Sequence, residues 1–287
     1  MSDQITTAFV QQYKGTLYNL VQQKGSRLRE AVTVEAVNGE FGYFDQIGAT
    51  AAIERTSRHS DSPLVNTPHS RRQVTMRDFE WGDLIDNPDK VRLLVDPSST
   101  YLQSAMWALG RKVDDILIEA ALGTAKTGKV GGTQVQLPAG QKVAHASTGL
   151  NVNKLLQAKE LLDKNDVDPD DPRFILVTAK QVSNLLGATE VTSSDYNTVK
   201  ALAQGEIDTF LGFKFIRTQR LTKDGNNNRQ AIAWTKSGVL LALGSDIKGR
   251  VTERPDKSFS VYAYASLSCG ATRMEEEKVV EIACVES

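Results

Sequence analysis

Apolar residues recur at helical spacing in two long stretches of the chain. In residues 3–23 the repeating apolar positions are Ile5, Phe9, Tyr13, Leu17, Leu20 and Val21, which predicts an amphipathic N-terminal helix. In residues 97–123 one stripe is formed by Leu102, Met106, Leu109, Val113, Ile116, Leu117 and Ala120. Pro97 suits a first helical turn and Gly123 suits a helix end. We therefore predict a second helix of about 35–40 Å, with Asp114 and Asp115 on its water-facing side.

The remaining pattern mixes strands with shorter helices. Strands are predicted at AVTVEAV, FGYFDQI, RFILVT (173–178), FLGFKFIRT (210–218), AIAWT and from Lys248 onward, and helices at 151–165, AKQVSNLLG and SDYNTVKALAQG. Residues 124–149 are rich in Gly and Lys and predict a loop or weak hairpin, and KDGNNNRQ predicts a hairpin turn. Helices and strands do not alternate regularly, which favours an α+β fold over a doubly wound parallel sheet.

Residues 48–85 form a different kind of segment. Two arms of β-character, TAAIERTS and RRQVTMRDFEW, flank a middle that contains Pro63 and Pro68. This pattern predicts a long hairpin with a loose tip. Its arms have too few large apolar side chains to bury a face of their own, and isolated hairpins are marginal in water. We expect the hairpin to lean on a neighbouring subunit.

Composition narrows the class of protein. The 287 residues are 40% hydrophobic and 24% charged, and 34 Lys and Arg against 35 Asp and Glu leave a net charge of −1. That balance argues against a protein that grips nucleic acid mainly by charge. A local basic group, Arg55, Arg58, Arg71 and Arg72, has two interpretations: contact with phosphate, or pairing with acidic groups of a neighbouring subunit. We favour the second, because the aromatic platforms typical of single-strand binding are missing.

No motif predicts catalysis, a cofactor or a metal site. GTAKTGKV (123–130) has phosphate-loop spacing but ends in Val130 rather than Ser or Thr, and it follows a helix instead of a strand. His59, His69 and His145 lack a ligand pattern, and no G-x-S-x-G elbow occurs. Cys269 and Cys284 are expected to be buried thiols. The chain has no apolar run long enough to cross a membrane, so we predict neither an enzyme nor a membrane protein.

The C-terminal stretch alternates strictly. Phe259, Val261, Ala263, Ala265, Leu267 and Cys269 share one predicted apolar face, and Tyr262 and Tyr264 occupy the other. Arg273 with Glu275, Glu276 and Glu277 is expected to face water or a neighbouring subunit. VVEIACV then predicts a final strand.

The order of these segments resembles the major capsid proteins of tailed bacteriophages, whose fold is shared with herpesvirus capsids. FLGFKFIRT (210–218), residues 231–259 and GATRMEEEKVVEIAC (270–284) look like the closing segments of one branch of these coat proteins, and residues 78–117 look like its approach to the spine helix. The resemblance implies an N-terminal arm (1–47), an extended β-hairpin loop (48–85), a peripheral domain with the spine helix (86–129) and closing strands (249–287), and an axial α/β domain (130–248).

The resemblance also implies a function and partners. Copies of the chain would assemble through hexamers and pentamers into an icosahedral shell around double-stranded DNA that they contact only weakly. The protein would act in the virion after assembly in the cytoplasm of the bacterial host, with a portal, a separate scaffolding protein and an optional decoration protein as partners. Candidate subunit contacts are Arg55, Arg58, Arg71, Arg72, Trp81, Arg273, Glu275, Glu276 and Glu277. Because no Lys lies between Lys24 and Lys90, we expect no covalent crosslink from a lysine of the extended loop. A nucleic-acid-binding protein that uses the arginine-rich hairpin is the alternative.

Overall fold

The computed structural model describes residues 22–59, 61–62, 64–85, 98–187, 209–226 and 228–286. These residues divide into two compact units. The first unit contains the described residues of 1–26, 78–112 and 245–267, and the second contains those of 27–77, 113–244 and 268–287. The predicted helix over 3–23 falls almost wholly, and that over SDYNTVKALAQG wholly, outside the described residues.

Three helices are described, and each was predicted. Helix α1 (Ser98–Leu122) is the long amphipathic one. Helix α2 (Val152–Lys164) begins where the side chain of Asn151 accepts a hydrogen bond from the Lys154 backbone N–H at 2.9 Å. Helix α3 (Ala179–Leu186) begins at a capping box in which Thr178 and Gln181 each bond the other's backbone N–H.

A six-stranded sheet lies in the second unit. Its order is β7 (Lys142–Val143), β14 (Val279–Val285), β11 (Asn228–Thr235), β8 (Arg173–Val177), β10 (Phe213–Arg217) and β9 (Thr209–Phe210). Strand β8 reads RFILV and is buried at every position, as a strand covered on both faces must be. Helices α2 and α3 supply Leu155, Leu162 and Leu185 to the core around this sheet.

The final strand predicted at VVEIACV is present as β14, and the structure adds its partner, which the sequence did not predict. In the structure β14 pairs along its whole length with β11, with Val279 opposite Trp234 and Val285 opposite Asn228. The physical reason is that VVEIACV is apolar on both faces and is buried best between two other strands. The wider division into peripheral and axial domains stays a prediction.

A four-stranded sheet of order β2-β3-β5-β6 also lies in the second unit. It contains β2 (Phe41–Ile47), β3 (His69–Thr75), β5 (Ala125–Thr127) and β6 (Thr133–Val135). Strands β2 and β3 are antiparallel, and the Gly48 N–H donates to the Pro68 carbonyl at 2.9 Å beyond the last pair. The predicted strand TAAIERTS is therefore wrong, because the described residues between Gly48 and Pro68 contain no strand. FGYFDQI pairs in its place, since it carries the aromatic and branched side chains that hold a ladder.

The third sheet has the order β1-β12-β13-β4 and contains β1 (Thr33–Ala36), β12 (Val239–Arg254), β13 (Ser260–Arg273) and β4 (Arg77–Ile85). Strands β12 and β13 contribute residues to both units. The predicted alternation in β13 is confirmed, with Val261, Ala263, Ala265, Leu267 and Cys269 buried. Phe259 was expected on the same face but is 59% exposed. It precedes the strand in a left-handed turn with a φ of 55°, which breaks the period of two.

Candidate subunit-contact site

The segment between Gly48 and Pro68 exposes apolar side chains. It is the first part of the predicted hairpin loop (48–85), and from here on the name extended loop refers to this segment alone. Ile53 is 60% exposed, Leu64 89% and Val65 41%. Together with Phe41, Tyr43 and Ile47 of β2, they make up six of the thirteen large apolar side chains that the described residues expose. Scattered exposed apolar residues are normal, but a concentration on one segment marks an interaction surface.

The root of the extended loop is held firmly by the second unit. The Gln46 side chain donates to the Met274 carbonyl at 3.0 Å, and the Arg72 Nε donates to the same carbonyl at 2.8 Å. Arg72 also pairs with Glu276, with 2.6 Å between Nη2 and Oε2. Strands β2 and β3 are thus fastened at the end of β13, so the loop projects from a fixed base.

Arg72, Arg273 and Glu276 form a buried ionic cluster. Arg273 has no exposed surface, and its guanidinium donates at 2.8–3.1 Å to the backbone carbonyls of Ala121, Gly123 and Val135. Two of these carbonyls lie at the C-terminal end of α1, where a cation is favoured. Burial lowers the pKa of Arg273, and the nearby carboxylate of Glu276 opposes that shift. The expectation that Arg273 faces water is wrong, because the helix end supplies bonds that the sequence does not reveal.

The predicted contact residues therefore fall into two groups. Arg72, Arg273 and Glu276 are buried and form ion pairs within the chain. Arg55, Arg58, Arg71, Trp81, Glu275 and Glu277 are at least partly exposed and stay predicted contacts.

The exposed arginines are engaged to different degrees. Arg71 pairs with Asp45, with 3.0 Å between Nη2 and Oδ2, and lies 5.7 Å from the centre of the Tyr43 ring. This hydrogen-bonded guanidinium lowers the pKa of Asp45. Arg55 curls back onto the loop and donates to the carbonyls of Ser57 and Arg58. Since Arg71 and Arg72 both hold carboxylates, the geometry does not favour the nucleic-acid alternative.

A second surface, not singled out from the sequence, lies in the first unit. The rings of Tyr262 and Tyr264 stack with centroids 6.0 Å apart, and the Tyr264 hydroxyl donates to Glu80 at 2.9 Å. Arg254 lies 5.3 Å from the centre of the Tyr262 ring and pairs with Asp256. The hydrogen bond to Glu80 raises the pKa of Tyr264. The alternation of β13 showed that the tyrosines share a face, but only the pairing of strands brings Glu80 to them.

The residues considered for chemistry do not assemble a reactive site. GTAKTGKV becomes β5 and a hairpin turn to β6 rather than a loop that opens a helix. His59, His69 and His145 are exposed, and the part of the chain that the structure describes holds no cluster suited to a metal ion. Both cysteines are buried, and burial raises the pKa of Cys284 to about 11, which keeps the thiol protonated. None of the described helices has the length and apolar character of a membrane span.

Comparisons with known proteins agree with the resemblance. A family model described as phage capsid protein matches residues 5–286. The capsid of cyanophage P-SCSP1u superposes with a TM-score of 0.77 at 17% identity, over 99% of this chain and 95% of that chain. The capsid of Ralstonia phage GP4 gives 0.75 at 10% identity, over 97% and 96%. The structure of Mycobacterium phage Che8 gives 0.70 at 16% identity, over 96% and 97%.

No curated protein matches the sequence significantly. The family match covers nearly the whole chain, and the structural matches confirm the tailed-phage capsid fold over that length. This family is a structural one, and its members reside in the capsid of the virion. The chain belongs to the phage capsid protein family and is a structural major capsid protein that forms the shell.

Proposed function

We propose that the chain assembles through hexamers and pentamers into an icosahedral shell around double-stranded DNA, and that the extended loop clasps an adjacent subunit. The observation that carries this proposal is the exposure of Ile53, Leu64 and Val65 on a segment whose described residues contain no strand. Burying such a side chain contributes about 1.5–3 kcal/mol. A neighbouring copy supplies that burial in the shell.

The fixed root suits the loop to this role. Bonds from Gln46 and Arg72 to the Met274 carbonyl hold β2 and β3 at their bases. A loop that starts from a rigid base loses less conformational entropy on docking than one attached through a flexible linker. Contact between subunits is therefore favoured without any covalent bond, in keeping with a loop that contains no lysine.

Other parts of the proposal rest on the family and on charge. The DNA is contacted weakly, because the net charge is −1 and two of the four hairpin arginines already hold carboxylates. A separate scaffolding protein, a portal and an optional decoration protein complete the particle. Assembly takes place in the cytoplasm of the bacterial host, and the chain acts as a structural protein without catalytic activity.

Replacing residues 51–65 by a short Gly-Ser linker tests the clasp. The Gly48–Pro68 hydrogen bond and both strands remain, so we expect a folded subunit with an unchanged circular dichroism spectrum. Sedimentation and electron microscopy should show few or no shells. Normal shells from this variant would contradict the proposal.

A milder pair of variants separates the loop from exposed apolar residues in general. We expect Leu64→Ser to lower the yield of shells and Val130→Ser to leave it nearly unchanged, although both side chains are more than 70% exposed. An equal effect of the two substitutions would show that the loop has no special part in assembly.

A further inference from the structure

The surface formed by Glu80, Arg254, Tyr262 and Tyr264, called here the tyrosine face, places an exposed carboxylate beside two stacked aromatic rings. It lies in the first unit, where the Tyr262 hydroxyl covers Gly82 so closely that a Cβ at Gly82 would lie 2.0 Å from it. The two rings are stacked and half-buried, and the neighbouring Glu80 is exposed. Tyrosine and arginine are the residues that most often anchor protein interfaces.

The chemistry of the tyrosine face selects a guanidinium. A carboxylate beside an aromatic ring offers both an ion pair and a cation–π contact, and arginine makes the two together better than lysine does. The chain itself provides an example, since Arg254 lies over the Tyr262 ring while Asp256 neutralises it. Glu80 has no arginine of its own among the described residues and accepts only from the Tyr264 hydroxyl there.

The extended loop carries an arginine whose guanidinium has no partner in the described part of the chain. Arg58 is exposed, and its guanidinium makes no hydrogen bond or ion pair with any residue that the structure describes. Arg55, by contrast, is bonded to two loop carbonyls. Among the described residues, Arg58 is thus an exposed cation without a neutralising carboxylate, and Glu80 of the tyrosine face is an exposed carboxylate without a neutralising cation.

We propose that Arg58 of one subunit docks on the tyrosine face of a second copy, with its guanidinium over the Tyr264 ring and paired with Glu80. This inference rests on the proposed function, because it names the surface on which the extended loop lies. The partner is a second copy because the family builds its shell from many copies of one chain. The contact combines charge complementarity with desolvated aromatic area, so it fixes the register of the loop.

Charge reversal tests the pairing. Arg58→Glu should lower the yield of shells by about tenfold, the factor that corresponds to about 1.4 kcal/mol per contact. Glu80→Arg should also impair assembly, and the double variant Arg58→Glu/Glu80→Arg should recover most of the yield. Circular dichroism establishes that each subunit is folded, and Glu80→Gln serves as a milder variant that should lower the yield several-fold.

Glu277 supplies the matched control. It is an exposed carboxylate in the second unit, without an aromatic partner among the described contacts. The double variant Arg58→Glu/Glu277→Arg should assemble no better than Arg58→Glu alone. Rescue by Glu277→Arg but not by Glu80→Arg would overturn the proposed pairing.

The outcome also separates this inference from the clasp itself. If the linker variant fails to assemble while Arg58→Glu assembles normally, the loop is needed and the tyrosine face is not its partner. If both variants assemble normally, the clasp proposal fails as well. If the double variant Arg58→Glu/Glu80→Arg recovers the yield of shells and the linker variant does not assemble, the clasp and the pairing of Arg58 with Glu80 are both supported.

Discussion

Lys154 shows how a single buried charge can organise a loop. It is 3% exposed, and its ammonium donates to the carbonyls of His145 at 2.8 Å, Thr148 at 2.8 Å and Ala283 at 3.0 Å. Between the first two carbonyls, Ala146 and Ser147 have positive φ values of 44° and 54°. Such conformations are strained for residues other than glycine. The ammonium stabilises them by bonding the carbonyls on either side, those of His145 and Thr148.

Lys154→Met should therefore destabilise the unassembled subunit by about 1–3 kcal/mol, because it leaves buried carbonyls unpaired. Burial lowers the pKa of Lys154 below 10.5 in the folded state. At pH values just below 10.5, Lys154 is therefore protonated more often in the unfolded chain than in the folded chain. Its contribution to the free energy of unfolding then rises with pH. Urea denaturation from pH 8 to 10.5 should show that the free energy of unfolding of the wild type exceeds that of Lys154→Met by an amount that grows with pH.

The exposed Lys214 of β10 provides the control for that series. Lys214→Met should change stability by less than about 0.5 kcal/mol at each pH. A difference in the free energy of unfolding between wild type and Lys154→Met that stays constant or narrows toward pH 10.5 would show that burial does not lower the pKa of Lys154.

At the scale of elements, helix α1 anchors the chain that precedes β1. Asp114 is only 1% exposed, and its carboxylate accepts from the backbone N–H groups of Arg27 and Leu28 at 3.1–3.2 Å. It thereby holds, from a distant part of the sequence, the backbone that directly precedes the short turn Arg29–Ala31. The expectation that Asp114 faces water is wrong. Its neighbour Asp115 is half-exposed and pairs with Arg220.

Adjacent substitutions should separate these roles. Asp114→Ala should cost about 2–4 kcal/mol because two backbone donors lose their acceptor. Asp115→Ala should cost about 1 kcal/mol or less, as a partly exposed ion pair does. Urea denaturation of both variants measures the difference, and equal costs would contradict the anchoring role of Asp114.

The elements that the sequence predicted well are those with strong local patterns. Helix α1 and the alternation of β13 follow from periodicity, and strand β8 follows from a short continuous apolar run. Two errors concern partners that are distant in the chain: Arg273 binds the end of α1, and Asp114 binds the backbone at Arg27 and Leu28. The partner of β14, which is β11, is equally distant and was not predicted. The tyrosine face was also missed because it depends on the pairing of β4 with β13, which brings Glu80 beside Tyr264.

At the scale of the whole molecule, buried and exposed charges have separate tasks. Buried groups such as Arg273 and Asp114 fasten elements within the subunit. In the proposed shell, the exposed apolar and basic residues of the extended loop contact other copies of the chain. This division explains how a chain with a net charge of −1 can be stable as a subunit and still offer charged groups for contacts between subunits.

A near-atomic electron cryomicroscopy map of assembled shells tests the central claim most directly. We predict closed icosahedral shells in which the extended loop of each subunit lies on an adjacent copy, with Arg58 over Tyr264 and within ion-pair distance of Glu80. Shells in which residues 48–68 pack only against their own subunit would contradict the account.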